Sequence, residues 1–388
     1  MMKKVIKKLL AALLAVAMLC AMAIPAFAYN PGETEEDLNT KHDYGAFQIF
    51  TGDVSDDNTT ISNVGWGESI PNHEDFLEKL KEDLTIGNQF SNAKTAQDVL
   101  MVISTWDDSD DDSIAFARFV CKYLYPTADA KPEPDDTGHT GGFEIRKPGY
   151  YLIVDISPFH EDDFYHAYNS FLLKVTKAPY HVIIKHKVVK PTVEKKVYDN
   201  DNNDISSAGG WGSSADHAIN EKFQFQLIAK LPAGRDEGRA YDYYKEYAVL
   251  FNDTLSEGIT YDKLDSVVIN SNGHTYDITN DTSKYTITES QNSFVVKIPD
   301  VKTCAEGLDL NDGATITVTY TAHLNEKAFV NTEGGSTSNI NKVYLTYSNN
   351  PRDESSIGKT PESTPVYVYT YQLSNTKHQD TKDGLALA

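Results

Sequence analysis

Three short stretches of this sequence put a polar residue where strand alternation calls for an apolar one. In PTVEKKVYD, Val193 and Val197 mark one face by the two-residue period of a strand; Lys195 shares that face, while Glu194 and Lys196 point the other way. In YAVLFNDTL, Asp253 shares a face with Tyr247, Val249, Phe251 and Leu255. In NKVYLTY, Asn341 shares a face with Val343, Leu345 and Tyr347. A lysine, a carboxylate and a carboxamide thus fall on inward positions of three strands. An unpaired buried charge is costly, so such groups pair or neutralise. One outcome is a buried Lys195–Asp253 salt bridge with Asn341 as a hydrogen-bond partner, and another is strand ends that simply reach solvent. The third is an intramolecular isopeptide bond. An apolar core lowers a lysine's pKa, by as much as about 3–5 when fully buried, and raises an aspartate's. The neutral amine is then a nucleophile. A protonated Asp253 polarises the Asn341 carbonyl, Lys195 attacks the side-chain amide, ammonia leaves, and Asp253 shuttles the protons. Such a bond would tie the first and last strands of the domain, and closing the chain between residues 195 and 341 in this way is worth about 5 kcal/mol by the chain-entropy argument used for disulfides.

These residues need a sandwich to position them. From Pro191 onward the text is strand and turn: Val193–Val197, Phe223–Ala229, Tyr247–Leu255, Tyr285–Thr288, Phe294–Ile298, Thr315–Ala322 and Asn341–Tyr347 alternate or nearly so. Seven or more short strands with turn signals between them predict an Ig-like β-sandwich. The run Asp199–Asp204 (DNDNND) is expected as a hairpin turn. Upstream, AFQIFTGDV and GYYLIVD predict strands, as does Phe171–Val175, while Phe76–Leu84, Ala93–Trp106 and Ile114–Leu124 carry apolar residues at helical spacing, the last stopped by Pro126. The acidic run Asp107–Asp112 lacks the spacing of an EF-hand and reads as a solvated loop. Lys131–Gly142, rich in Pro, Asp and Gly, reads as a second loop. The fold class expected is mainly β, in tandem sandwich-type domains, the first α+β with inserted helices.

The N-terminus bounds the compartment. Lys3, Lys4, Lys7 and Lys8 precede an apolar run from Leu9 to Ile24, and Ala26-Phe27-Ala28 supplies the small-x-small pattern of a cleavage site. This is a secretory signal, with cleavage expected between Ala28 and Tyr29. Without the leader's four lysines, 31 of the 35 Lys and Arg remain against 57 Asp and Glu, a net charge near −26. Such a surface repels nucleic acid and anionic lipid. Only Cys121 and Cys304 remain, in different expected domains, so no disulfide is expected and a secreted chain must be stabilised otherwise. No G-x-S-x-G or H-E-x-x-H motif occurs and the histidines are scattered, so an enzyme acting on a diffusible substrate is not expected, nor is any metal or cofactor.

With these residues in place, the sequence resembles the backbone pilins of Gram-positive bacteria, in particular their fimbrial domain with a Lys-to-Asn isopeptide bond. The matching text is PTVEKKV around Lys195, FNDTLSEGI around Asp253 and NINKVYLTYSNNP around Asn341, together with AFQIFTGDV, NVGWG and PGYYLIVD in the first domain. The resemblance covers nearly the whole mature chain. It implies domains at 29–188 and 189–364. A last block starts near Pro365, where Val366–Leu373 (VYVYTYQL) alternates as a strand; VYTYQLSNTK, ending at Lys377, resembles the opening of a collagen-adhesin B-type domain at 365–388 that the sequence leaves incomplete.

The resemblance also implies a lysine just before the second domain that sortase joins to the next subunit. Lys187, in IIKHKVV, stands in that place, four residues before Pro191, with Lys185 as a rival. His186 and Val188 replace the family's usual Pro and Asn, and there is no LPxTG-type sorting motif. The function implied is a cell-surface pilus subunit, secreted and held at the cell wall or in the pilus, with identical subunits and sortase as partners. The competing function is a wall-anchored or pilus-tip adhesin for a host glycan or matrix protein.

Overall fold

The computed structural model describes residues 43–58, 60–106, 111–126, 130–139, 142–157, 170–182, 189–200, 210–235, 239–331, 338–351 and 355–372. The chain divides into two units. The first gathers residues up to 190 with 233–245 and 348–358; the second gathers 191–232, 246–347 and the residues from 359 onward. The break at 190/191 lies close to the expected one, but the two later segments that belong to the first unit were not anticipated.

The first unit is built on an antiparallel sheet of β1 (Asp43–Val54), β2 (Ile61–Trp66), β3 (Asp136–His139), β5 (Gly149–Asp155) and β6 (Ser170–Val175), with β1 between β2 and β5 and β3 also paired to β1. A separate ribbon joins β4 (Phe143–Ile145) to β7 (Tyr180–Val182). Every residue of β5 is buried, which explains why GYYLIVD reads as a continuous apolar run rather than an alternation. Tyr150, Leu152 and Val154 pack with the residues of three helices, whereas Tyr151 and Ile153 pack with Phe143, Ile145 and Val182 of the ribbon. The helices are α1 (His73–Glu82), α2 (Ala96–Ile103) and α3 (Asp111–Leu124). Thr95 caps α2 in a capping box with Asp98. Asp111 and Asp112, expected in a loop, instead form the first turn of α3, where acidic residues complement the helix dipole; Asp107–Asp110 lie outside the described residues. β3 also occupies what the sequence presents as loop, because DTGH has no apolar residue to reveal a strand.

The second unit is a sandwich of two sheets. One runs β14-β13-β17-β11-β8-β9, from β8 (Thr192–Tyr198), β9 (Trp211–Gly212), β11 (Lys222–Leu231), β13 (Ile259–Ser271), β14 (His274–Asp277) and β17 (Ala314–Leu324). The other runs β10-β20-β18-β12-β16-β15, from β10 (Ser214–Asp216), β12 (Val249–Leu255), β15 (Thr286–Ser290), β16 (Ser293–Ile298), β18 (Asn339–Ser348) and β20 (Val366–Tyr369), with β19 (Ile357–Lys359) also on β18. Alternate residues of each long strand are buried, as in KFQFQLIAKL, whose Phe223, Phe225, Leu227, Ala229 and Leu231 all face the core. Two expectations are corrected here. Val366–Tyr369, read as the opening of a following domain, pairs with β18 and β10 and completes this sandwich. Asn341 therefore does not lie on the last strand of the unit, since β19 and β20 follow it. Residues 373–388, with Lys377, lie outside the described residues, as do residues 201–204 of the expected DNDNND turn.

Candidate functional site

Lys195 sits at the middle of β8, opposite Leu227 of β11, with Val197 buried beside it on the same face. Asp253 lies on β12 in the facing sheet, opposite Val343 of β18 and Phe294 of β16. Asn341 belongs to the inward series of β18 and is paired with Leu255, so it stands diagonally across from Asp253 on one face. The three polar residues that parity singled out therefore meet inside the sandwich, with the lysine reaching across from one sheet to the other. The side chains of Lys195 and Asp253 are both 0% exposed, and Lys195 Nζ donates to Asp253 Oδ2. Asn341 is also fully buried.

A fourth residue joins them. Tyr320 of β17 is paired with Phe225 on one side and Leu264 on the other. Its hydroxyl accepts from Lys195 Nζ at 3.2 Å and from Asn341 Nδ2 at 2.6 Å, and donates to Asp253 Oδ1 at 3.4 Å. Aromatic rings enclose the cluster. Phe225 stacks on Tyr320 at 5.2 Å between centroids, and Phe294 meets Tyr320 edge-on at 4.8 Å. Lys195 Nζ lies 5.2 Å from the centre of the Phe225 ring. Parity alone hid Tyr320, because TITVTYTAHL presents it as one more inward core residue beside Val318 and Ala322. Its one signal is that tyrosine carries a polar tip that must find a partner when buried.

The electrostatics follow from the dryness of the site. Burial pushes the Lys195 ammonium down to about 8, against the opposing pull of the Asp253 carboxylate. Burial likewise raises Asp253, opposed by Lys195 and by the hydrogen bonds from Lys195 and Tyr320. Burial and the neighbouring Asp253 hold the Tyr320 phenol well above its usual range. One atom remains unsatisfied: Asn341 Oδ1 is buried with no hydrogen-bond partner. The expected bond from Asp253 to that carbonyl is not made here; Asn341 reaches the cluster through its nitrogen instead. Chemically, the arrangement sets an amine of weakened basicity, a carboxyl group of weakened acidity and a carboxamide around one phenol, in a pocket without solvent.

Lys187 and its rival Lys185 lie outside the described residues, as do Ala28 and Tyr29. Cys121 and Cys304 are both buried, one in each unit, and are not joined to each other. Among the described residues no helix is long and apolar enough to cross a membrane.

No protein-family model matches the chain, and no curated protein matches it. Solved structures similar to it include the T6 backbone pilin of serotype M6 Streptococcus pyogenes, at 19% identity and TM-score 0.47 over 88% of this chain and 64% of that one. A C-terminal fragment of the major pilin of Streptococcus agalactiae has 19% identity and TM-score 0.37 over 51% of this chain and 61% of that one. The major pilin SpaD of Corynebacterium diphtheriae has 17% identity and TM-score 0.39 over 67% and 59%. This chain thus spans about three fifths of the length of each.

Proposed function

We propose that the sandwich closes an amide bond between Lys195 Nζ and Asn341 Cγ, and that the chain is a structural subunit of a sortase-assembled pilus. The observation that carries the first part is the meeting of Lys195, Asp253 and Asn341 in a site from which water is excluded. A lysine and an aspartate left there as a salt bridge forfeit hydration that their attraction hardly repays. Transfer of the proton from Lys195 to Asp253 removes both charges and leaves a neutral amine beside a carboxamide. The amine attacks Asn341 Cγ, and the protonated carboxyl can turn to the orphaned Oδ1 as negative charge develops there. Collapse expels ammonia and returns Asp253 to the protonated state. The chain acts on itself and turns over no substrate.

The second part rests on what a permanent tie contributes to a secreted chain without a disulfide. It locks the two sheets together and survives reduction. The expected export leader and the expected linking lysine, Lys187, complete the reading: a subunit that folds outside the cell and is joined by sortase to identical subunits.

One experiment on the full chain addresses both parts. Intact mass is expected to fall short of the sequence mass by one ammonia, with Lys195 joined to Asn341 in tandem mass spectra, and Asp253→Ala is expected to retain the ammonia. With a C-terminal sorting signal fused to the chain, incubation with the cognate sortase is expected to give a ladder that Lys187→Ala abolishes and Lys185→Ala leaves. A full-mass wild type after long incubation sinks the bond. A missing wild-type ladder would instead favour the adhesin.

A further inference from the structure

The cluster holds a residue that the scheme above does not use. Amide exchange at Asn341 must remove a proton from Lys195 Nζ and deliver one to Nδ2, since ammonia, not an amide anion, is the leaving group. In the tetrahedral intermediate these nitrogens are attached to the same carbon. Direct transfer between them passes through a strained four-membered ring of N, C, N and H. A hydroxyl placed against both nitrogens widens that ring to six and allows nearly linear transfers. Solvent cannot serve, because the side chains of Lys195 and Asp253 are fully buried and Asn341 is too. The Tyr320 hydroxyl is within 3.2 Å of Lys195 Nζ and 2.6 Å of Asn341 Nδ2. Asp253 hydrogen-bonds to the lysine and to the phenol, while the carboxamide's own hydrogen bond goes to the phenol.

We infer that Tyr320 is a second catalytic group for bond formation, relaying the proton from the attacking lysine nitrogen to the departing asparagine nitrogen. The inference rests on the Lys195–Asn341 reading. Before reaction, the planar amide nitrogen has no lone pair to offer, so it donates to the phenol oxygen and the phenol proton points to Asp253. Once Nζ has bonded to Cγ, Nδ2 becomes pyramidal and can accept. The phenol then turns its proton to Nδ2 while its oxygen takes one from Nζ. The Cγ–Nδ2 bond breaks, ammonia leaves, the carbonyl re-forms, and Tyr320 ends with the proton count it began with. Because its environment opposes ionisation, the phenol works as a neutral bridge, taking one proton as it gives another. Its location is fixed by a central strand and by the rings of Phe225 and Phe294, so little reorganisation is needed.

The test follows the ammonia loss of the full chain during cell-free synthesis, with samples quenched in acid and weighed intact. Tyr320→Phe keeps the ring and removes the relay; it is expected to fold and to form the bond about a hundredfold more slowly, the low end for a lost acid–base group. To separate chemistry from packing, Tyr320→Phe in an Asn341→Ala chain is expected to leave the melting temperature near that of Asn341→Ala alone. Should Tyr320→Phe fail to fold, a fluorinated tyrosine at position 320 preserves shape while making the phenol more acidic. The rate is then expected to change with phenol acidity. A bond formed at the wild-type rate in Tyr320→Phe, or a rate indifferent to fluorination, overturns the relay and leaves the cross-link standing. A wild type that loses no ammonia overturns both.

Discussion

Lys195 makes the pH dependence of this molecule specific. In an Asn341→Ala chain it stays a free amine, with burial holding its pKa at about 8, below the 10.5 of an exposed lysine. Between those values the unfolded chain binds a proton that the folded chain does not. The Lys195 contribution to stability is therefore least favourable below about pH 8 and improves as pH rises through the window. In the proposed cross-linked wild type, no amine would remain at this position to titrate. The gap in melting temperature between wild type and Asn341→Ala should narrow from about pH 8 to about pH 10. A gap that stays level or widens in thermal scans would contradict the depressed lysine. Three members of the site were legible as breaches of period two, because a charged or amide side chain on an apolar face is conspicuous. Tyr320 was not, because its ring satisfies the pattern and only its oxygen does chemistry.

At the scale of elements, β18 is held in place just before its reactive residue. Asn339 is fully buried; its carboxamide accepts from Phe329 N at 2.9 Å and donates to Phe329 O at 3.3 Å and to Val368 O at 3.1 Å. It ties the start of β18 to the Ala328–Phe329 turn and to β20. Asn339→Ala strands these backbone groups; the buried Val368 carbonyl left without a partner costs about 1–3 kcal/mol, and the part-buried Phe329 groups add less each. Urea unfolding of the full chain should show a loss of roughly 2–4 kcal/mol on that count, and a loss below 1 kcal/mol would mean the groups find other partners. Strands with clean alternation, such as β11 and β17, were readable from the text. β13 was not: ITYDKLDSVVINS carries charges within the strand, and its register shifts twice, between Tyr261 and Lys263 and between Leu264 and Ser266. Each shift breaks the period on which recognition depends. β20 was recognised as a strand but given to the wrong domain, because alternation reports a strand's faces and says nothing of its neighbours.

For the whole molecule, the chain passes between its two units after residues 190, 232, 245, 347 and 358. Neither unit is a single uninterrupted segment, so a cut in one linker does not release an intact half. The expected boundary at 364 would also remove β20, separating β10 from its strand partner and baring the backbone of β18 at Asn339–Asn341. Bare strand edges template aggregation. A fragment of residues 191–364 should elute as aggregates in size-exclusion chromatography, whereas one extended to 372 should be less prone to do so. A monomeric 191–364 fragment would show β20 to be dispensable.

The position of β20 also sets a schedule. Val366–Tyr369 is made after Lys195, Asp253, Tyr320 and Asn341, yet it lies directly against the strand that bears Asn341. Throughout synthesis up to residue 365 the sheet that carries the reactive carboxamide lacks this neighbour. Under the proposed export and cross-link, that delay would be useful. A ring closed early between residues 195 and 341 would have to enter the export pore as a doubled strand, whereas a chain that closes only once β20 has arrived would pass through in single file and seal itself afterwards.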